Sequence, residues 1–172
     1  GPERRQLALW QNCQQELQWR GSSVLVLHTA KPRNRQRLEL WLALLLAAAA
    51  DQGPLDGVLV ARGAKDFGVQ LRLQAPQVDS ARAELMRLLE LRQQWRQSCW
   101  PVPPETGWAL LDKGEARAIE TWEGGFQSRG ERLDPEQALC FGSELSGAAL
   151  LASGELAAQA EELLGPLRER LI

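Results

Sequence analysis

Tyrosine is absent from the 172 residues, histidine occurs once (His28), methionine once (Met86) and cysteine three times (Cys13, Cys99 and Cys140). A single histidine removes His-rich metal centres and leaves a Ser-His-Asp triad almost without material. Three cysteines, odd in number and without CxxC spacing, provide neither a zinc cluster nor a disulfide framework, and they point to a reducing cytoplasm. Long apolar runs are lacking as well. The longest, Leu40–Ala50, has about half of the ~20 residues a membrane-crossing helix needs, so no membrane partner is expected. GxxxxGK[ST], GxGxxG and HExxH are all missing, which excludes the usual phosphate cradles and the zincin ligand pair.

What remains is a chain with 44% apolar and 24% charged residues, the composition of a soluble globular protein with a sizeable core. Its length predicts a single domain over 3–172. Gly1-Pro2 at the start, with the only methionine at position 86, suggests the scar of a cleaved tag on a piece excised from a longer chain. The net charge of -2 hides a gradient. Residues 1–100 carry 14 Lys and Arg against 9 Asp and Glu, whereas residues 101–172 carry 6 against 13. The densest basic segment is Lys31-Pro-Arg33-Asn-Arg35-Gln-Arg37. Like charges this close repel one another, and a cationic helix start opposes the macrodipole. The segment is therefore the candidate contact for DNA or an acidic partner, the alternative being a solvated loop and first helical turn.

Periodicity predicts an amphipathic helix over Arg4–Gln18, carried by Leu7, Trp10 and Leu17, and then a break at Gly21-Ser-Ser. Val24–His28 reads as a buried strand, and Arg35–Ala50, apolar almost all round, as a helix central to the core. Asp56–Arg62 and Phe67–Gln74 alternate about a Gly63-Ala-Lys-Asp66 loop, the pattern of a hairpin with Leu71 and Leu73 facing the core. Ser80 is placed to cap a long helix ending near Gln97. Three prolines between Pro101 and Pro104 predict an extended stretch. Short helices follow over Glu105–Leu111 and Gly114–Glu123, and another starts at Pro135 after a loop. A closing helix over Gly154–Ile172 is expected to break at Gly165-Pro166. The fold class is α/β or α+β, a small sheet flanked by helices.

A hairpin followed by a helix is where PD-(D/E)xK nucleases place their metal ligands. There, two carboxylates hold Mg²⁺ and a lysine helps to activate the attacking water. Asp56 stands where the first acid belongs, but the second strand offers Leu71 and Leu73 where oxygen donors are needed. Asp56, Leu71 and Leu73 thus define a degenerate nuclease site, with no catalytic residue, no metal and no cofactor. Asp56 is otherwise a turn residue after Pro54. Of the seven tryptophans, Trp10, Trp41, Trp95, Trp100, Trp108 and Trp122 are expected in the core, with Trp19-Arg20 and Trp95-Arg96 as candidates for base stacking. Cys99 reads as a core thiol, and Glu115, Glu120 and Glu123 as an exposed helical face.

Pro101-Val-Pro-Pro104-Glu105-Thr106-Gly107-Trp108-Ala109 resembles the Pro-x-x-Pro-Glu-Ser/Thr-x-Trp-Ala signature of the RecC family, the gamma subunits of exodeoxyribonuclease V (RecBCD). Ala116-Arg117, Trp122-Glu123-Gly124 and Gly130-Glu131-Arg132-Leu133-Asp134 are similar to its aromatic-Glu-Gly and Gly-Glu-x-x-Asp segment. Ala160–Leu164 with Pro166-Leu167 resembles its closing helix, and Leu38-Glu-Leu-Trp41-Leu42 its Leu-x-x-Trp-Leu helix. The resemblance covers roughly residues 24–172. It implies a C-terminal domain with a nuclease-like fold lacking catalytic residues. Such a domain binds RecB-like and RecD-like subunits and guides DNA strands in double-strand-break repair by homologous recombination, while nuclease and helicase activity belong to the parent complex. A strand-splitting pin has no assignable residues here. Two rival readings are a Mg²⁺ nuclease built on Asp56 and Asp66, and a protein-interaction module that docks Pro101–Pro104 in an aromatic groove.

Overall fold

A computed structural model describes residues 1–10, 13–98, 102–125 and 128–172. The architecture is mixed α/β, with a five-stranded mixed sheet and, among the described residues, seven α-helices. The chain divides into two compact units, Gly1–Glu90 with Glu169–Ile172, and Leu91–Arg168.

The first unit holds the sheet, in the order β1 (Glu3–Trp10), β2 (Cys13–Arg20), β3 (Ser23–His28), β4 (Asp56–Arg62), β5 (Phe67–Gln74). The first two strands occupy the stretch expected to be helical. Over Glu16–Arg20 the burial alternates with period two: Leu17 and Trp19 are buried, while Glu16 and Arg20 are exposed. A strand is the conformation that buries such a pattern on one side. Pairing with a neighbouring strand outweighs the helical leaning of the Gln-rich run. Gly21, at φ +62°, takes the left-handed conformation that reverses the chain into β3.

β3 connects through α1 (Asn34–Ala49) to β4, which lies parallel to it, and β5 returns antiparallel. The expected strand, helix and hairpin are all present. α1 packs across β3 and β4, meeting the face formed by Val24, Val26, Gly57, Leu59, Ala61 and Leu73. Gly57 permits the approach, because a Cβ there would lie 3.1–3.3 Å from the side chains of Leu40 and Leu44. The final residues join the outer edge of β5, where Gln74 N–H donates to Arg170 O (2.8 Å) and Ile172 N–H to Arg72 O (3.2 Å).

α2 (Val78–Ser98) begins two residues before the expected cap, so Ser80 lies inside its first turn. Its apolar face is only partly buried, with Ala81 and Leu91 inside and Leu89 52% exposed.

The second unit is helical: α3 (Pro104–Lys113), α4 (Glu115–Glu123), α5 (Pro135–Phe141), α6 (Gly147–Leu151) and α7 (Glu155–Arg168). The loop between α4 and α5 carries the two-residue strands β6 (Gly124–Gly125) and β7 (Ser128–Arg129) and one 3-10 turn. The core gathers Val102, Trp122, Leu150, Leu156 and Ala160, with Trp95 and Phe141 packed against them. Phe141 meets Trp122 edge-on at 5.5 Å between centroids, the arrangement the ring quadrupoles favour. α7 runs through Gly165-Pro166 without the expected interruption. Pro166 lies close to its C-terminus, so one missing N–H costs only a terminal bond.

Candidate functional site

Asp56 opens β4 on the sheet face turned away from α1. There its carboxylate accepts from Ser23 Oγ (2.5 Å) and from Arg72 Nη1 (3.0 Å). The Asp56 side chain is 14% exposed and that of Arg72 51%. Both oxygens are therefore committed to neighbours on the same face, and the guanidinium supplies the positive charge that a cation would otherwise bring.

Leu71 and Leu73 pair with Leu59 and Gly57, which point to the opposite face. The structure therefore does not bring Asp56 together with Leu71 and Leu73: side chains alternate, and these fall on the wrong parity. The β5 residues nearest Asp56 on its own face are Arg72 and Gln74. Asp66 is exposed in the hairpin loop, at the far end of β4 from Asp56. Among the described residues no three His, Cys, Asp or Glu side chains are grouped so as to hold a metal ion.

The basic segment falls between β3 and the start of α1. Lys31, Arg33 and Arg35 are exposed, and Arg37 is half-buried. The Gln36 carboxamide oxygen accepts from Arg33 N–H (2.9 Å), so a neutral group serves one of the first free donors of α1. No acidic residue occupies that first turn. Arg62 N–H donates to Ala30 O (3.3 Å). This bond ties the segment to the end of β4, and Arg62 and Lys65 of the hairpin are exposed there too. These two cations were invisible as part of the patch in the sequence, because only the parallel β3–β4 pairing makes them neighbours.

Of the stacking candidates, Trp19 is not available to bases, being fully buried under the Arg5 guanidinium, 4.7 Å from the ring centroid. Trp95 is half-buried, packed against the helical core. Pro103 is buried and half-buried Pro104 begins α3, which counts against a proline segment offered to a groove. Pro101 and Cys99 lie outside the described residues.

The residues that carry the RecC resemblance turn out to join one another. α3 has Pro103 at its N-cap, a residue with no side-chain acceptor. The Glu131 carboxylate replaces it, accepting from Glu105 N–H (3.0 Å) and Thr106 N–H (2.7 Å). Glu131 is 5% exposed, and this burial raises its pKa above the ordinary carboxylate value, while the two N–H donors pull it back down.

Gly130 sits where a Cβ would collide with the carbonyls of Trp122 and Glu123. Trp122 Nε1 donates to Leu145 O (2.7 Å) and Glu123 accepts from Gly147 N–H (2.9 Å). Glu123 is therefore bound to the start of α6 rather than being only a member of an exposed face. Sequence reasoning missed Glu131 as a functional group of the fold. The one signal was its place in the Gly-Glu-x-x-Asp segment.

The geometry defines a mixed α/β protein whose motif residues hold helices together and whose hairpin carboxylate is neutralised by arginine. The sequence model of the RecC C-terminal domain family matches residues 5–115, which is 111 of the 172 residues, and the chain belongs to that family. RecC is a subunit of RecBCD, in which the catalytic nuclease lies in RecB, a context of DNA repair and recombination. The match begins in β1, takes in Leu38–Leu42 and Pro101–Ala109, and ends before Trp122–Asp134 and the closing helix. A search of curated proteins found no relative matching the chain. No helix among the described residues is long and apolar enough to cross a membrane.

Proposed function

We propose that the chain is a non-catalytic C-terminal domain of an exodeoxyribonuclease V gamma subunit. In this reading it supports assembly with RecB-like and RecD-like subunits and guides a DNA strand during double-strand-break repair in the cytoplasm. The observation that carries the reading is the commitment of Asp56 to Arg72 and Ser23. A sheet related to nucleases but stripped of its ligand set has its remaining acid turned to structural use. The family match runs across the boundary between the two compact units, which supports treating residues 3–172 as one functional domain.

The DNA contact in this reading is the basic end of the sheet, Lys31, Arg33, Arg35 and Arg37, extended by Arg62 and Lys65. Phosphate contacts made by such residues release counterions, so affinity falls steeply with salt. In a complex reconstituted with its partner subunits, joint reversal of Lys31, Arg33 and Arg35 to Glu is expected to weaken DNA binding. The salt dependence should flatten by about one unit for each phosphate that the domain no longer neutralises. Unchanged affinity, salt dependence and assembly reject the assignment.

A further inference from the structure

The sheet of the first unit is finished on one face only. A parallel strand pair is normally covered on both faces, yet within this unit α1 is the helix packed across β3 and β4, and it takes one side. Alternation places Leu25 and Leu27 of β3, Val58 and Val60 of β4, and Phe67 and Val69 of β5 on the other. The register slip at Leu59/Val60 sets Val69 beside Val60 on this side. Leu27, Val69 and Phe67 are 46%, 51% and 57% exposed. A hollow of about 590 Å³ lies over the patch, walled also by Gly1, Pro2, Arg20, Ser23 and Arg72.

The charged residues of the same face are unbalanced. Arg4, Arg20, Arg62 and Arg72 stand against Glu16 and Asp56. Both acids are already paired, Glu16 with Arg4 (3.2 Å) and Asp56 with Arg72 (3.0 Å). The rim thus keeps an excess of two positive charges beside an apolar floor. Contiguous exposed apolar surface with a polar rim marks an interaction site, and the layer that completes such a sheet is helical.

We propose that this face receives an amphipathic helix of a partner protein, with an apolar stripe seated on Leu25, Leu27, Val60 and Val69 and carboxylates facing Arg20 and Arg62. A second copy of the chain is the poorer occupant, because face-to-face pairing sets two cationic rims against each other. The proposal needs neither the DNA contact nor the subunit reading above.

The test uses the whole chain and two synthetic helices of about 18 residues, long enough to be helical in isolation. Both carry a leucine stripe, flanked by glutamates in one and by lysines in the other. The glutamate helix is expected to bind at least about tenfold more tightly than the lysine helix. Leu27→Ser with Val69→Ser is expected to weaken it by a further factor of about ten. Both positions are already exposed, so thermal melting of that variant should be unchanged. Arg20→Glu with Arg62→Glu is expected to reverse the preference between the two helices. The proposal is overturned if neither helix binds, if both bind equally, or if the serine variant binds as well as the parent. Sedimentation that shows the chain dimerising through this face also overturns it.

Discussion

Replacing Glu131 tests whether a side chain 25 residues downstream does the work of an N-cap for α3. The carboxylate receives two backbone N–H groups that no residue of the helix itself can serve, at 3.0 and 2.7 Å. A hydrogen bond to a charged acceptor contributes about 1.5–3 kcal/mol, and a buried donor left unmade costs about 1–3 kcal/mol. Part of this is offset in the parent by the desolvation of the acid. Glu131→Ala is therefore expected to cost about 2–4 kcal/mol, and Glu131→Gln, which retains one acceptor oxygen, about 1–2 kcal/mol.

The pH dependence separates a buried acid from a mere packing residue. Burial raises the folded-state pKa of Glu131, so the folded chain binds its proton more tightly than the unfolded chain does. The stability contributed by that proton is complete below the unfolded carboxylate value and is lost as pH rises through the folded value. Urea melts of the parent and of Glu131→Gln across this interval should show the stability difference shrinking as pH increases. A Glu131→Ala variant as stable as the parent refutes the capping argument, and a difference that stays flat with pH refutes the raised pKa of the buried acid.

Two other substitutions probe the same framework by urea or thermal unfolding. Gly130→Ala, whose methyl group would enter the Trp122 and Glu123 carbonyls, should cost about 2–4 kcal/mol; a neutral effect would show that the 3-10 turn adjusts freely. Asp56→Ala leaves Arg72 and Ser23 without their shared acceptor and should cost about 1–2 kcal/mol, discounted for the exposed guanidinium.

Much of the first unit is legible in the sequence because its signals are local. The all-round apolar run of α1 has the length of a core helix, and alternation on either side of Gly63-Ala-Lys-Asp66 defines the β4–β5 hairpin with its loop. The β1–β2 pair is hidden because Leu7, Trp10 and Leu17 fit a helical spacing. What decides for strands is Trp19 pairing with Val24, a tertiary fact.

The slip at Leu59/Val60 is hidden for the same reason, and with it the exposure of Val69. At the candidate site, composition places the basic segment, but only the fold brings Arg62 to it. The pairing of Asp56 with Arg72 follows from strand parity once the register is known. Glu131 depends on contacts across 25 residues, which no periodicity can announce.

In the proposed reading this domain binds no catalytic cation at its sheet and cuts no DNA. Incubating the purified chain with linear duplex and single-stranded DNA in Mg²⁺ or Mn²⁺ tests it directly, with Asp56→Ala alongside. Intact DNA is expected in every lane, with no difference between the two proteins. Metal-dependent cleavage by the parent chain that disappears in Asp56→Ala contradicts it.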